Sequence, residues 1–280
     1  MKVTLLGTGS PLPSATCAGP STLVQAGGQN ILVDAGRAVV MRLAGAMCPP
    51  PLVGAVLLTH LHSDHICDLN DVVTTRWVAS PAATPLDIWG PVGTKAMVEG
   101  LFAMLAADVS YRLDHHDDLR AGIGMAVNVV EVEPGDSFRI GEVSVSVHRT
   151  DHRPVAPTIG FRIEADGKSA ALAGDTVPCA ELDEMCRGAD LYVQTVVRED
   201  LVRTFAPLVP IGDRFLDILD YHSTVEQAAQ TASRAGVGTL VLTHYVPAIQ
   251  PGGEDEWRAL AAAHFSGPII VGPDLTSVSA

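Results

Sequence analysis

The stretch Thr59-His60-Leu61-His62-Ser63-Asp64-His65 decides how this chain is read. It sets three imidazoles and one carboxylate directly after the apolar run Val56-Leu57-Leu58. An apolar strand ending in a loop crowded with donors lets a rigid scaffold present a metal site. Neutral imidazole and carboxylate are the usual zinc ligands where thiolates are absent. The rival reading is a solvated polar loop, and other His and Asp placements weigh against it. His152 follows Val145 to His148 and Thr150-Asp151, Asp175 follows Ala170 to Gly174, and His244 follows Thr239 to Thr243. His222 precedes Ser223-Thr224 and a helical pattern. Strand ends on one edge of a sheet converge in space although they are far apart in sequence.

Working outward, the patterns predict strands at Val3 to Leu6, Ser21 to Ala26, Asn30 to Asp34, Val53 to Thr59 and Leu86 to Trp89. Further strands are expected at Ala126 to Glu131, Ser137 to Ile140, Val143 to His148, Thr158 to Glu164, Ser169 to Ala173, Leu191 to Gln194, Val237 to Thr243 and Ile269 to Val271. One helix is expected from Asp64 to about Ser80, and one from Thr94, as N-cap, to about Ala107. Others are expected at Ala180 to Cys186, Thr224 to Ala235 and Asp255 to Ala263. Strands interleaved with helices in each half suggest an α/β chain of two packed sheets with helices outside. No linker or repeat interrupts residues 1–280, which read as one domain. The segment 198–220, with Pro207 and Pro210, carries no clear pattern and reads as a lid, a partner-binding loop or a packing excursion.

Hydrophobic residues make up 47% of the 280, enough for a sizeable core. The formal charge of −14 and the lack of a basic stripe argue against a long nucleic-acid surface. No apolar run is long enough to cross a bilayer, and Met1 to Gly7 does not read as a secretory leader. The five scattered cysteines fit a reducing cytoplasm and argue against thiolate ligation. Cys67, close to the His cluster, reads as a small buried apolar residue.

The motif His60-x-His62-x-Asp64-His65 resembles the signature of the metallo-β-lactamase fold superfamily. Leu5-Leu6-Gly7-Thr8-Gly9-Ser10-Pro11 and Leu32-Val33-Asp34-Ala35-Gly36 match it, as do Thr150-Asp151-His152-Arg153-Pro154 with Ile159-Gly160-Phe161-Arg162. Ala173-Gly174-Asp175-Thr176, His222-Ser223-Thr224 and Leu242-Thr243-His244-Tyr245 complete the match. Order and spacing resemble the ribonuclease Z branch and its arylsulfatase-like relatives. The resemblance implies a metallo-β-lactamase αβ/βα four-layer sandwich holding two zinc ions, with manganese or iron as substitutes. It implies that His60, His62 and His152 hold the first ion, that Asp64, His65 and His244 hold the second, and that Asp175 bridges them. It also implies attack by a metal-bridging hydroxide that Asp64 orients, with His222 as proton donor to the leaving group. A homodimer is a further family expectation.

Single residues carry plainer alternatives. His148 competes with His152 but lacks its sequence context. Asp34 reads as a structural acceptor, and His115-His116 with Asp114, Asp117 and Asp118 as a solvated charged loop or a substrate rim. His264 reads as a surface residue, and Tyr245 either reaches substrate or packs.

Two departures from ribonuclease Z stand out. Members that process transfer RNA carry a protruding arm before the bridging Asp, whereas here Arg153 to Gly174 is used up by one hairpin. Those enzymes also support the catalytic His with a Glu, where this chain has Gln194-Thr195, with Glu199 as a candidate substitute. The expected activity is dinuclear zinc-dependent phosphodiester hydrolysis. The substrate is an RNA 3′ end or a small or cyclic nucleotide, the missing arm favouring the small diester. The alternatives are an arylsulfatase-like or lactonase-type metallo-hydrolase and a non-catalytic binding protein.

Overall fold

A computed structural model describes residues 1–80, 84–250 and 252–280. Among the described residues, one sheet contains β1 (Lys2–Gly7), β2 (Ser21–Ala26), β3 (Gln29–Val33), β4 (Ala55–Leu57), β5 (Leu86–Gly90), β6 (Val127–Glu131) and β14 (Ser277–Ser279), in the order β14-β1-β2-β3-β4-β5-β6. The second contains β7 (Ser137–Ile140), β8 (Val143–Arg149), β9 (Ile159–Ala165), β10 (Lys168–Leu172), β11 (Leu191–Val197), β12 (Thr239–Val246) and β13 (Ile269–Ile270), in the order β13-β12-β11-β10-β9-β8-β7. β3 to β6 run parallel, as do β10 to β13.

The pleat sorts the apolar residues into layers, because successive side chains point to opposite faces. On β4, Ala55 and Leu57 enter the core between the sheets, while Val56 and Leu58 face the helices beside the first sheet. On β11, Leu191 and Val193 point between the sheets and Tyr192 points to the helices beside the second. Strands buried on both faces read as continuous apolar runs, which is what the sequence shows. Outside the first sheet lie α1 (Val39–Gly45), α2 (Ser63–Ile66), α3 (Leu69–Ala79), α4 (Thr94–His115) and α5 (Asp117–Ala121). Against the second lie α6 (Ala180–Cys186), α9 (Val225–Ala235) and α10 (Glu254–Ala262). This is the expected αβ/βα four-layer sandwich.

The differences from expectation have local causes. The single helix expected from Asp64 to Ser80 is split at Cys67-Asp68, where the Asp68 carboxylate accepts the Ala38 N–H. Thr94 is the first helical residue rather than the N-cap, and its hydroxyl donates to the Pro91 carbonyl. The Glu131 carboxylate caps α4 instead, accepting the Gly93 and Lys95 N–H groups at 2.9 and 3.0 Å. α4 also runs past Ala107 to His115, so the charged run 114–118 is exposed but largely helical rather than a loop. α1 and β14 were not foreseen: α1 has no side-chain cap, and β14 is held by pairing with Lys2 to Thr4. Thr224 caps α9 through a capping box with Gln227, and Gly236 ends it in the left-handed region at φ 66°.

The segment 198–220 forms α7 (Glu199–Phe205), α8 (Gly212–Asp217) and short 3-10 turns. Val202, Ala206 and Phe215 anchor it on Val197 and Val246, beside the end of β12.

Candidate metal centre

The donors lie at or just beyond the carboxyl ends of strands, as ligand sites in open α/β sheets do. β4 leads into Thr59 to His65, β8 into His152, β10 into Asp175, and β12 ends with His244 and Val246. His60, Asp64, His65, His152, Asp175, His222 and His244 are buried and His62 is half-buried. Ligand atoms of His60, His62, His152 and Asp175 form one group within 4.8 Å of one another, and those of Asp64, His65 and His244 form a second. A third group joins Asp175, His222 and His244. Asp175 Oδ2 is the hub, at 3.8 Å from His60 Nε2, 3.4 Å from His65 Nε2, 3.8 Å from His152 Nε2, 3.2 Å from His222 Nε2 and 3.6 Å from His244 Nε2. All eight residues singled out by sequence for the site and its catalysis are therefore brought together.

The outer partners assign the ring tautomers. His152 Nδ1 donates to the Tyr221 carbonyl at 2.7 Å, and His222 Nδ1 donates to the Ile218 carbonyl at 2.9 Å. His65 Nδ1 donates to Asp34 Oδ2 at 2.8 Å. Asp34 also accepts the Thr59 N–H at 2.8 Å and the Thr59 hydroxyl at 2.9 Å, so Thr59 Oγ1 is left to accept from His60 Nδ1 at 3.0 Å. In these four rings Nδ1 is turned outward to its partner and Nε2 points inward. His62 Nδ1 lies 3.1 Å from His60 Nε2 and 3.3 Å from His152 Nε2. Three imidazole nitrogens that close, with the His60 and His152 donors spent elsewhere, suit a cation between them. His65 Nε2 and Asp175 Oδ1 are likewise buried with no hydrogen-bond partner among the described residues. The residues fit a divalent metal.

The electrostatics agree. Burial, together with neighbouring imidazoles, pushes His60 well below the usual range, and burial pushes His152 down to about 4. Burial alone would lower His65 and His244, yet the Asp175 carboxylate outweighs it and raises both. Burial would raise Asp175, but the His244 and His65 rings hold it well below the carboxylate range.

Ser10, Leu12, Arg214, Phe215 and Ile218 join these donors in the walls of a cleft of about 360 Å³. A wider cavity of about 660 Å³ lies beyond the His152 loop, lined by Arg149, Arg153 and Glu181, and meets the donor set only at His152.

The expectations for Glu199 and Cys67 are corrected here. Glu199 pairs with Arg203 and takes no part in the site. The acceptor behind His222 is the Ile218 carbonyl, so no carboxylate relay is formed there. Cys67 is exposed, not buried. Tyr245 packs: its buried hydroxyl donates to the Leu242 carbonyl at 2.7 Å. Asp34 is the structural acceptor expected, while His148 lies beside Ser146 outside the cluster. Sequence reasoning missed Arg214, Phe215 and the Ile218 and Tyr221 carbonyls, because the segment that carries them has no periodic pattern.

A four-layer sandwich with buried imidazole and carboxylate donors at its strand ends defines a metal-dependent hydrolase of the metallo-β-lactamase fold. Residues 29–245 match the beta-lactamase superfamily domain. The ribonuclease Z of Mycolicibacterium gilvum is 55% identical over 280 residues, covering 99% of this chain and 96% of that protein. The chain belongs to the ribonuclease Z family within that superfamily. Among solved structures, the metallo-β-lactamase fold protein YhfI from Bacillus subtilis superposes with a TM-score of 0.72 at 22% identity, covering 99% of this chain and 98% of the other. The short form of human tRNase Z superposes with a TM-score of 0.69 at 22% identity, covering 100% and 99%. Both share the fold.

Proposed function

We propose that this chain is a dinuclear zinc phosphodiesterase, one domain over residues 1–280, that cleaves RNA at a 3′ end. The observation that carries the reading is the single carboxylate oxygen, Asp175 Oδ2, lying within 3.8 Å of five imidazole nitrogens. One oxygen shared among so many donors suits a ligand bridging two ions. His60, His62 and His152 would hold one ion, and Asp64, His65 and His244 the other. When bound, such cations lower the pKa of a water and neutralise charge on an attacked phosphoryl group.

The residues of the chain do the rest. Asp64, in the cleft wall, orients the proton of the attacking water through its carboxylate. His222 is held by the Ile218 carbonyl at Nδ1, which leaves Nε2 turned toward Asp175 and the cleft. Protonated there, it gives that proton to the leaving oxygen as the P–O bond breaks. A relative that aligns end to end with this chain carries the name ribonuclease Z, so lack of an arm does not argue against an RNA substrate. Five cysteines, none of them paired among the described residues, accord with a reducing cytoplasm. No helix among the described residues is long and apolar enough to cross a membrane.

A panel of precursor transfer RNA, bis-aryl phosphate, aryl sulfate and lactone, run alongside metal analysis, tests the reading. Bound zinc with turnover of RNA and bis-aryl phosphate is expected. Turnover of sulfate or lactone without phosphodiesterase activity would overturn it in favour of the arylsulfatase-like or lactonase alternative.

A further inference from the structure

Resting on the phosphodiesterase reading, we propose that Arg214 is a substrate-binding residue that grips a phosphate flanking the scissile bond. Among the described residues, Arg214 is the one Lys or Arg in the wall of the metal cleft. In a chain of net charge −14, an anionic polymer has few places to be held. Nearby in sequence, Arg198 pairs with Asp200 at 2.6 Å and Arg203 with Glu199 at 2.7 Å. Arg214 is exposed and makes no side-chain hydrogen bond or ion pair among the described residues.

Its depth sets which phosphate it meets. The donors that would carry the scissile phosphate are mostly buried on the cleft floor, whereas Arg214 stands at the mouth. The same wall carries the apolar side chains Leu12, Ile211, Phe215 and Ile218. A ribose and base would find apolar surface there, carrying the next phosphate of the strand toward the guanidinium. Phe215, buried against Val197, Val202 and Val246, fixes the short helix that carries Arg214. Guanidinium is suited to this task because its planar fork grips phosphate oxygens in pairs.

The test compares wild type, Arg214→Ala and Arg214→Lys, all metal-loaded. One readout is anisotropy of a fluorescein-labelled RNA with a non-cleavable scissile linkage, and the other is turnover of bis(4-nitrophenyl) phosphate, which has no flanking phosphate. For Arg214→Ala we expect RNA affinity to fall on the order of tenfold, and the slope of log affinity against log salt to shrink by about 0.7, one single-strand contact. Arg214→Lys should recover part of that loss, and bis(4-nitrophenyl) phosphate turnover should fall far less than RNA affinity in both variants. Equal losses on both probes, RNA affinity unchanged by Arg214→Ala, or no RNA binding by wild type would each overturn the proposal. Failure of the phosphodiesterase reading shows separately, as wild type inert toward bis(4-nitrophenyl) phosphate.

Discussion

The carboxylate of Asp34 and the ring of His65 meet at 2.8 Å, Oδ2 to Nδ1, although they stand 31 residues apart. The same carboxylate takes both Thr59 donors, so it aims His65 directly and His60 through the Thr59 hydroxyl. Partners of this kind fix tautomer and ring direction, and losing one costs roughly 10–100-fold in metal affinity. Asp34→Ala should weaken zinc by that amount in a chelator competition. Unchanged affinity would show that the ligands orient themselves.

Asp175 is expected to be indispensable to the metal. Because Oδ2 serves both donor groups, Asp175→Ala should lose bound zinc and turnover together. Elemental analysis of the purified variant checks this, and a full zinc complement would contradict a bridging role.

His222 should separate metal binding from chemistry. His222→Ala should keep its zinc while turnover falls roughly 10²–10⁴-fold, the usual worth of a positioned acid. Wild-type turnover in this variant would remove His222 from the mechanism.

Zinc binding should release protons. Burial lowers the pKa of His65 and His244, but the carboxylates around them outweigh it and raise both above the ordinary imidazole value. In the metal-free protein these rings therefore hold a proton up to a higher pH than a free imidazole does, and a cation must displace it. Affinity should rise as pH rises and weaken as pH falls. Titration calorimetry in two buffers of different ionisation enthalpy reads the release, and equal observed heats would contradict it.

Gly174 is expected to tolerate no side chain. Its φ is 63°, and a Cβ there would lie 2.8 Å from the Thr59 Cβ. Gly174→Ala strains the backbone beside Asp175 and pushes on the residue that leads into His60. It should cost on the order of 1–3 kcal/mol, read as a lower unfolding midpoint, with weaker zinc binding. An unchanged midpoint would mean that the β10 loop yields freely.

Much of the site was legible because its donors are local to strong patterns. Val56-Leu57-Leu58 announces a buried strand, and the donors follow at once. Asp175 and His244 stand after or within equally apolar runs, Ala170 to Gly174 and Thr239 to Thr243. The helix break at Cys67-Asp68 was not legible, because the group that causes it, the Ala38 N–H, lies 30 residues away. Nor was the cap of α4, which comes from Glu131 across the sheet.

By itself the sequence determined the strands other than β14, the alternation that makes two sheets share a core, and the candidate metal donors. These depend on residues close together along the chain. Only the tertiary structure decided which atoms stand behind those donors. The Ile218 and Tyr221 carbonyls that hold His222 and His152 are backbone groups, which every residue carries and no motif marks. The structure alone also brought Arg214 to the cleft, because packing of Phe215 against Val197 and Val246 places that segment, and no periodicity in residues 198–220 announces it.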